Sequence, residues 1–99
     1  IMLGQFAARH GITNWIGSAE GARIAKNKRM PLMTPDYVRN LPANDVTLAE
    51  AFQEAGYTTF FAGKWHLGDV GFFPEDQGFD VNIGGHHRGS PPGGYYAPY

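Results

Sequence analysis

Hydrophobic and polar positions alternate in a clear order over only one part of this chain, residues 47–66. Leu48, Ala51, Phe52 and Ala55 recur at i, i+3, i+4 and i+7, the apolar stripe of an amphipathic helix. Thr47-Leu48-Ala49-Glu50 starts that stripe as a capping box: the Thr47 hydroxyl takes the Glu50 amide, and the Glu50 carboxylate reaches back to the Thr47 amide. Gly56 supplies a left-handed stop, so the pattern predicts a helix over about 48–55. Tyr57-Thr58-Thr59-Phe60-Phe61-Ala62 follows, β-branched and aromatic, and predicts a strand. Its apolar run lacks polar alternation, which predicts a strand covered on both faces, as in a parallel α/β sheet.

The rest is less regular. Residues 1–10 are mostly apolar, interrupted by Gly4, and predict a buried helix tail or a turn into one, closed by Gly11. Residues 12–17 are β-prone or irregular. Arg23, Lys26, Lys28 and Arg29 form a basic run that reads as a solvated face. Pro31 and Pro35 then break any regular element. From residue 68 onward the chain is expected to be loop, because Gly and Pro are dense to the end.

Composition narrows the function classes. Eight Lys+Arg against nine Asp+Glu give a formal net charge of -1, which excludes a nucleic-acid binder acting through bulk charge. There is no Cys, hence no disulfide framework and no thiolate metal site. No apolar run is long enough to cross a membrane as a helix. With 99 residues the chain is at most one small domain. It starts without Met and stops inside a Gly/Pro-rich stretch, so it is expected to be a piece of a longer protein.

Candidate chemistry sits at the carboxyl end of the predicted strand. Lys64 and His66 are two residues apart, and in extended geometry such residues project to the same side. In open α/β sheets ligands bind beyond the carboxyl ends of the strands. An ammonium beside an imidazole suits an anion: Lys64 would neutralise an oxygen, and His66 would hydrogen-bond or shuttle a proton. The plain alternative is a strand-end lysine and a satisfied structural histidine.

The segment Gly56-Tyr57-Thr58-Thr59-Phe60-Phe61-Ala62-Gly63-Lys64-Trp65-His66 resembles the second signature of the sulfatase family, Gly-Tyr/Val-x-Ser/Thr-x-x-small-Gly-Lys-aromatic-His. Gly11-Ile12-Thr13-Asn14-Trp15, Leu41-Pro42 followed by Thr47-Leu48-Ala49-Glu50, and Gln77-Gly78-Phe79-Asp80 are similar to further family segments in the same order. Ile1-Met2-Leu3-Gly4 is similar to the last four positions of the first signature, with Leu3 departing from the usual residue. The resemblance implies a partial α/β fold of the alkaline-phosphatase-like sulfatase type, with a mixed, mainly parallel sheet flanked by helices. Residues 1–99 would then be a fragment of the N-terminal catalytic domain. It implies a sulfuric ester hydrolase acting on sulfate esters, sulfated carbohydrates among them. By family analogy Lys64 contacts the sulfate and His66 assists its release. Calcium and formylglycine are the implied cofactors, with their residues outside this chain; no metal ligand is assigned within it. A periplasmic or secreted location is implied in the same way.

Other features stay open. His86-His87-Arg88 reads as a solvated loop, or as a rim of the pocket that recognises an anionic sugar. As neighbours on a strand, His86 and His87 would point to opposite sides. Asp69 and Asp76 lack the spacing of a binding loop, and Asp80 reads as a loop or cap residue. Trp15, Tyr95, Tyr96 and Tyr99 would either stack on sugar rings or pack. The alternatives to a sulfatase are a phosphodiesterase or phosphonate hydrolase of the same superfamily, and a non-enzymatic glycan-binding module.

Overall fold

A computed structural model describes residues 1–16, 36–91 and 93–96. The basic run at 23–29, Pro31, Pro35 and Tyr99 lie outside the described residues. Within them the elements run α1 (Ala7–His10), α2 (Leu48–Glu54), β1 (Phe60–Ala62), a 3-10 turn (Pro74–Gln77) and β2 (Val81–Ile83). The two strands are parallel neighbours, with Phe60 opposite Val81, Phe61 opposite Asn82 and Ala62 opposite Ile83. A parallel pair needs a long crossover. Residues 63–80 supply it, with the 3-10 turn in place of a full helix.

The capping box forms as its sequence dictates. Glu50 N donates to Thr47 Oγ1 at 3.1 Å, and Thr47 N donates to Glu50 Oε2 at 2.7 Å. The Thr47 hydroxyl also donates to the Gln77 carbonyl at 2.7 Å, so the helix start is fastened to the turn that precedes β2. Thr47 is almost fully buried there. Gly78 lies so close that a Cβ on it would stand 2.5 Å from Glu50 N, and its φ of +86° is one that side chains resist.

Several expectations change. The α2 stripe does not face a core: Leu48 and Phe52 are exposed, and Ala49 is the buried helix residue. β1 begins at Phe60 rather than residue 57 and is not covered on both faces, since Phe60 is 60% exposed while Phe61 is partly buried. α1 buries nothing, and Phe6 stands exposed beside it, although Gly11 does close it at φ +80°. The Gly/Pro-rich stretch after residue 68 holds both the 3-10 turn and β2. Three residues between Asp80 and Gly84 are too few to show a period, and only pairing with β1 makes them a strand.

The packed side of the sheet is aromatic. Phe61, Trp65 and Phe79 meet edge-to-face, with ring centroids 5.2 to 6.0 Å apart. Leu41, Ala49, Trp65 and Pro74 are buried. The opposite side, with Phe60, Val81 and Ile83, is exposed.

Asp80 ties the starts of the two strands together. Its carboxylate accepts from Thr59 N at 2.7 Å and from Gln53 Nε2 at 2.8 Å, and it lies 2.9 Å from the Thr59 hydroxyl. The Thr59 amide and then these side-chain donors favour the ionised form and lower the Asp80 pKa below its ordinary 3.8. A depressed carboxylate pKa contributes stability that is present above the unfolded value and is lost as pH falls through the folded one. We therefore expect Asp80→Ala to lower stability at pH 7, with the gap to wild type narrowing below pH 3.8. Denaturant unfolding at pH 7 and pH 3 measures it, and a gap that does not change with pH refutes the assignment.

Candidate functional site

β1 ends at Ala62, and Gly63 turns the chain at φ +120°. Extended geometry therefore does not persist through Lys64 and His66, contrary to the expectation from the sequence. The two side chains nevertheless face one cleft, because the residue between them is anchored elsewhere. Trp65 is 4% exposed, packs on Phe61 and Phe79, and donates its indole N–H to the Phe72 carbonyl at 2.7 Å. With Trp65 turned inward, its neighbours turn outward. His66 completes the turn with φ +54°, the sole positive φ among the described non-glycine residues. That conformation costs about 1–2 kcal/mol. Burying a large apolar side chain returns about 1.5–3 kcal/mol, and the Trp65 indole bond adds to it. The turn is also held by His66 N donating to the His86 carbonyl at 3.1 Å.

The cleft has a volume of about 760 Å³. It opens where both strands end, since Lys64 follows β1 and His87 and Arg88 follow β2. Trp15 and Ile16 form one wall, and Arg39 and Asn40 another. The Arg39 segment is pinned by backbone bonds: Val38 N donates to the Gly11 carbonyl and Leu41 N to the Leu67 carbonyl, each at 2.9 Å. Gly89 brings the later loop against the pair, for a Cβ on it would stand 2.8 Å from His66 Nδ1 and 3.4 Å from Lys64 Cε.

The field in the cleft is positive. Lys64, Arg39 and Arg88 carry permanent charge, against the carboxylate of Asp69. Asp69 lies 3.8 Å from His87 Nδ1, both half-exposed or more, a pair of small energetic weight. Burial lowers the His66 pKa below its ordinary 6.5, and the Lys64 charge lowers it further; His86 and His87 add to this, while a hydrogen bond to the Ile16 backbone opposes it. The imidazole is therefore neutral at pH 7.

Lys64 and His66 are thus brought together. His87 and Arg88 also line the cleft: the His86-His87-Arg88 segment is a loop past the end of β2, with His87 and Arg88 exposed, and it forms part of the cleft's rim. His86 and His87 do not point apart as on a strand; their rings touch with centroids 5.6 Å apart. Trp15 lines the cleft, Tyr95 lines a neighbouring cavity of about 450 Å³, and Tyr96 is exposed. The sequence reading missed Arg39 and Asn40, which reach the site through contacts distant in sequence and carry no local signal; Asp69, set aside there for lacking binding-loop spacing, lines the cleft close after His66. No group of three or more His, Asp or Glu among the described residues is arranged to hold a metal ion, so these residues do not fit a calcium site. The chain has no Cys to be converted to formylglycine.

No protein-family model matches the chain. Curated relatives do. The chain is 52% identical over 48 residues to arylsulfatase G of Rattus norvegicus, covering 48% of this chain and 9% of that protein. It is 51% identical over 45 residues to an arylsulfatase of Klebsiella aerogenes, covering 44% and 10%. It is 41% identical over 56 residues to arylsulfatase A of Homo sapiens, covering 54% and 11%. This is a partial sulfatase-family match. The matched stretches of this sulfatase-like chain span about a tenth of the length of those relatives.

The electrostatic pairing in the cleft has a direct readout. We expect the His66 imidazole to titrate below pH 6.5, and Lys64→Met to move its midpoint upward toward that value without fully restoring it, because burial remains. NMR titration of the ring carbon protons tests this; a midpoint at or above 6.5, or one indifferent to the Lys64 charge, contradicts it.

Proposed function

We propose that the protein containing this chain hydrolyses sulfate esters, with Lys64 binding the sulfate and His66 beside it as the group that takes or returns a proton. The observation that carries this reading is the convergence of Lys64 and His66 in one positively charged cleft at the carboxyl ends of two parallel strands. The arylsulfatase relatives supply the reaction class.

Sulfate-ester cleavage moves negative charge among the sulfur oxygens and onto the leaving oxygen. A fixed ammonium at those oxygens stabilises the transition state more than the ground state only if it needs no reorganisation. The buried Trp65 that follows Lys64 anchors the backbone from which Lys64 extends into the cleft. His66, its pKa lowered below 6.5 by burial and the Lys64 charge, is mainly neutral at pH 7, the form that accepts a proton. The close approach of Gly89 fixes the imidazole from the far side.

On this reading residues 1–99 form part of the N-terminal catalytic domain of an alkaline-phosphatase-like sulfatase fold, and the β1–β2 pair is part of its mainly parallel sheet. Calcium and formylglycine would be supplied by residues outside this chain. A periplasmic, secreted or lysosomal location fits the relatives; among the described residues no helix is long and apolar enough to cross a membrane.

The test uses the protein expressed from its complete reading frame, with 4-nitrophenyl sulfate and 4-nitrophenyl phosphate as substrates. We expect a higher kcat/KM on the sulfate, and a loss of about 10²–10³-fold for Lys64→Ala, the size of effect seen when one oxyanion contact is removed. Preference for the phosphate points to the phosphohydrolase branch, and unaltered turnover in Lys64→Ala removes the role given to that residue.

A further inference from the structure

The cleft holds more positive charge than one sulfate requires. Lys64 and His66 sit together under Gly89. Arg39 and Arg88 reach the same cleft from two other chain segments, one before α2 and one after β2. Neither guanidinium has a carboxylate within ion-pair distance among the described residues; the Asp69 carboxylate lies 3.8 Å from His87 Nδ1. Lys64, Arg39 and Arg88 thus bring three cationic side chains from separate segments to one cleft, a local positive field that suits a ligand with more than one negative charge.

The chain around each arginine is held by local contacts. The Arg88 amide donates to His86 Nδ1 at 2.9 Å, which sets the backbone of that segment. The Arg39 guanidinium lies 6.0 Å from the centroid of the Tyr37 ring, and the Tyr37 hydroxyl donates to the Trp15 carbonyl at 3.0 Å. The cleft, at about 760 Å³, is of the size that receives a drug-sized ligand or a short sugar chain. A planar guanidinium recognises carboxylate and sulfate through two parallel hydrogen bonds.

We propose that Arg88, with Arg39, forms a second anion subsite in this cleft, so that the favoured substrate is a sulfate ester carrying a further carboxylate or sulfate group. The proposal rests on the sulfate-ester reading for the position of the first anion at Lys64. It adds what selects the substrate: the second charge, not the esterified sulfate, distinguishes one sulfate ester from another.

Binding can be read without turnover, on the complete protein, with benzene-1,3-disulfonate and benzenesulfonate as probes in calorimetry. We expect wild type to prefer the disulfonate by at least about 10-fold, the effect of one charge-assisted hydrogen-bonded pair. Arg88→Gln should lower that preference, and the Arg39→Gln/Arg88→Gln double variant should bring the ratio near one, while circular dichroism and melting temperature stay those of wild type. A wild type without the preference, or a preference that survives in the double variant, overturns the subsite. The two readings separate cleanly. Aryl sulfate turnover without any disulfonate preference removes the subsite and leaves the sulfatase reading standing. An Arg88-dependent preference in a protein that turns over no aryl sulfate keeps the subsite and removes the sulfatase reading.

Discussion

Burial of the Trp65 indole is the contact on which the site geometry depends. Trp65 lies between the two candidate residues in sequence, and it is pulled to the packed side of the sheet by Phe61, Phe79 and the Phe72 carbonyl. With Trp65 held on that side, Lys64 and His66 line the cleft. The left-handed backbone at His66 is the local cost of this arrangement, and the buried ring outweighs it. Strain at the candidate site thus has its cause in the packing of one residue away.

The same economy recurs at the helix start. One threonine, Thr47, caps α2 with its oxygen and donates its proton to the Gln77 carbonyl, so a local cap also fixes the approach to β2. Asp80 and Thr59 repeat the device between β2 and β1. These short polar links hold a two-stranded sheet that has little apolar burial of its own, since a pair of strands alone is marginal in water. The exposed faces of α2 and of the sheet, with Leu48, Phe52, Phe60 and Ile83, are apolar surfaces that the described residues leave uncovered.

The cleft gathers charge from chain segments far apart in sequence. Lys64 and His66 come from the crossover after β1, Arg88 from the loop after β2, and Arg39 from the segment before α2. That convergence explains how a chain with nearly balanced charge presents a local positive field. Burial first, and the Lys64 charge after it, push His66 toward its neutral form.

Local chemistry was legible from the amino acids alone. The Thr47–Glu50 box, the helix through Glu54, the strand residues Phe60 to Ala62 and the Lys64/His66 pair each depend on residues within a few positions of one another. Capping bonds and turn preferences act over that distance, so the sequence carries them directly. β2, the outward turn of Lys64 and His66 by Trp65, and the arrival of Arg39, Asp69, His87 and Arg88 at one cleft were decided by tertiary structure. Strand pairing and aromatic packing join residues that are distant along the chain, and no local pattern of side chains encodes which distant backbone will be there to receive them.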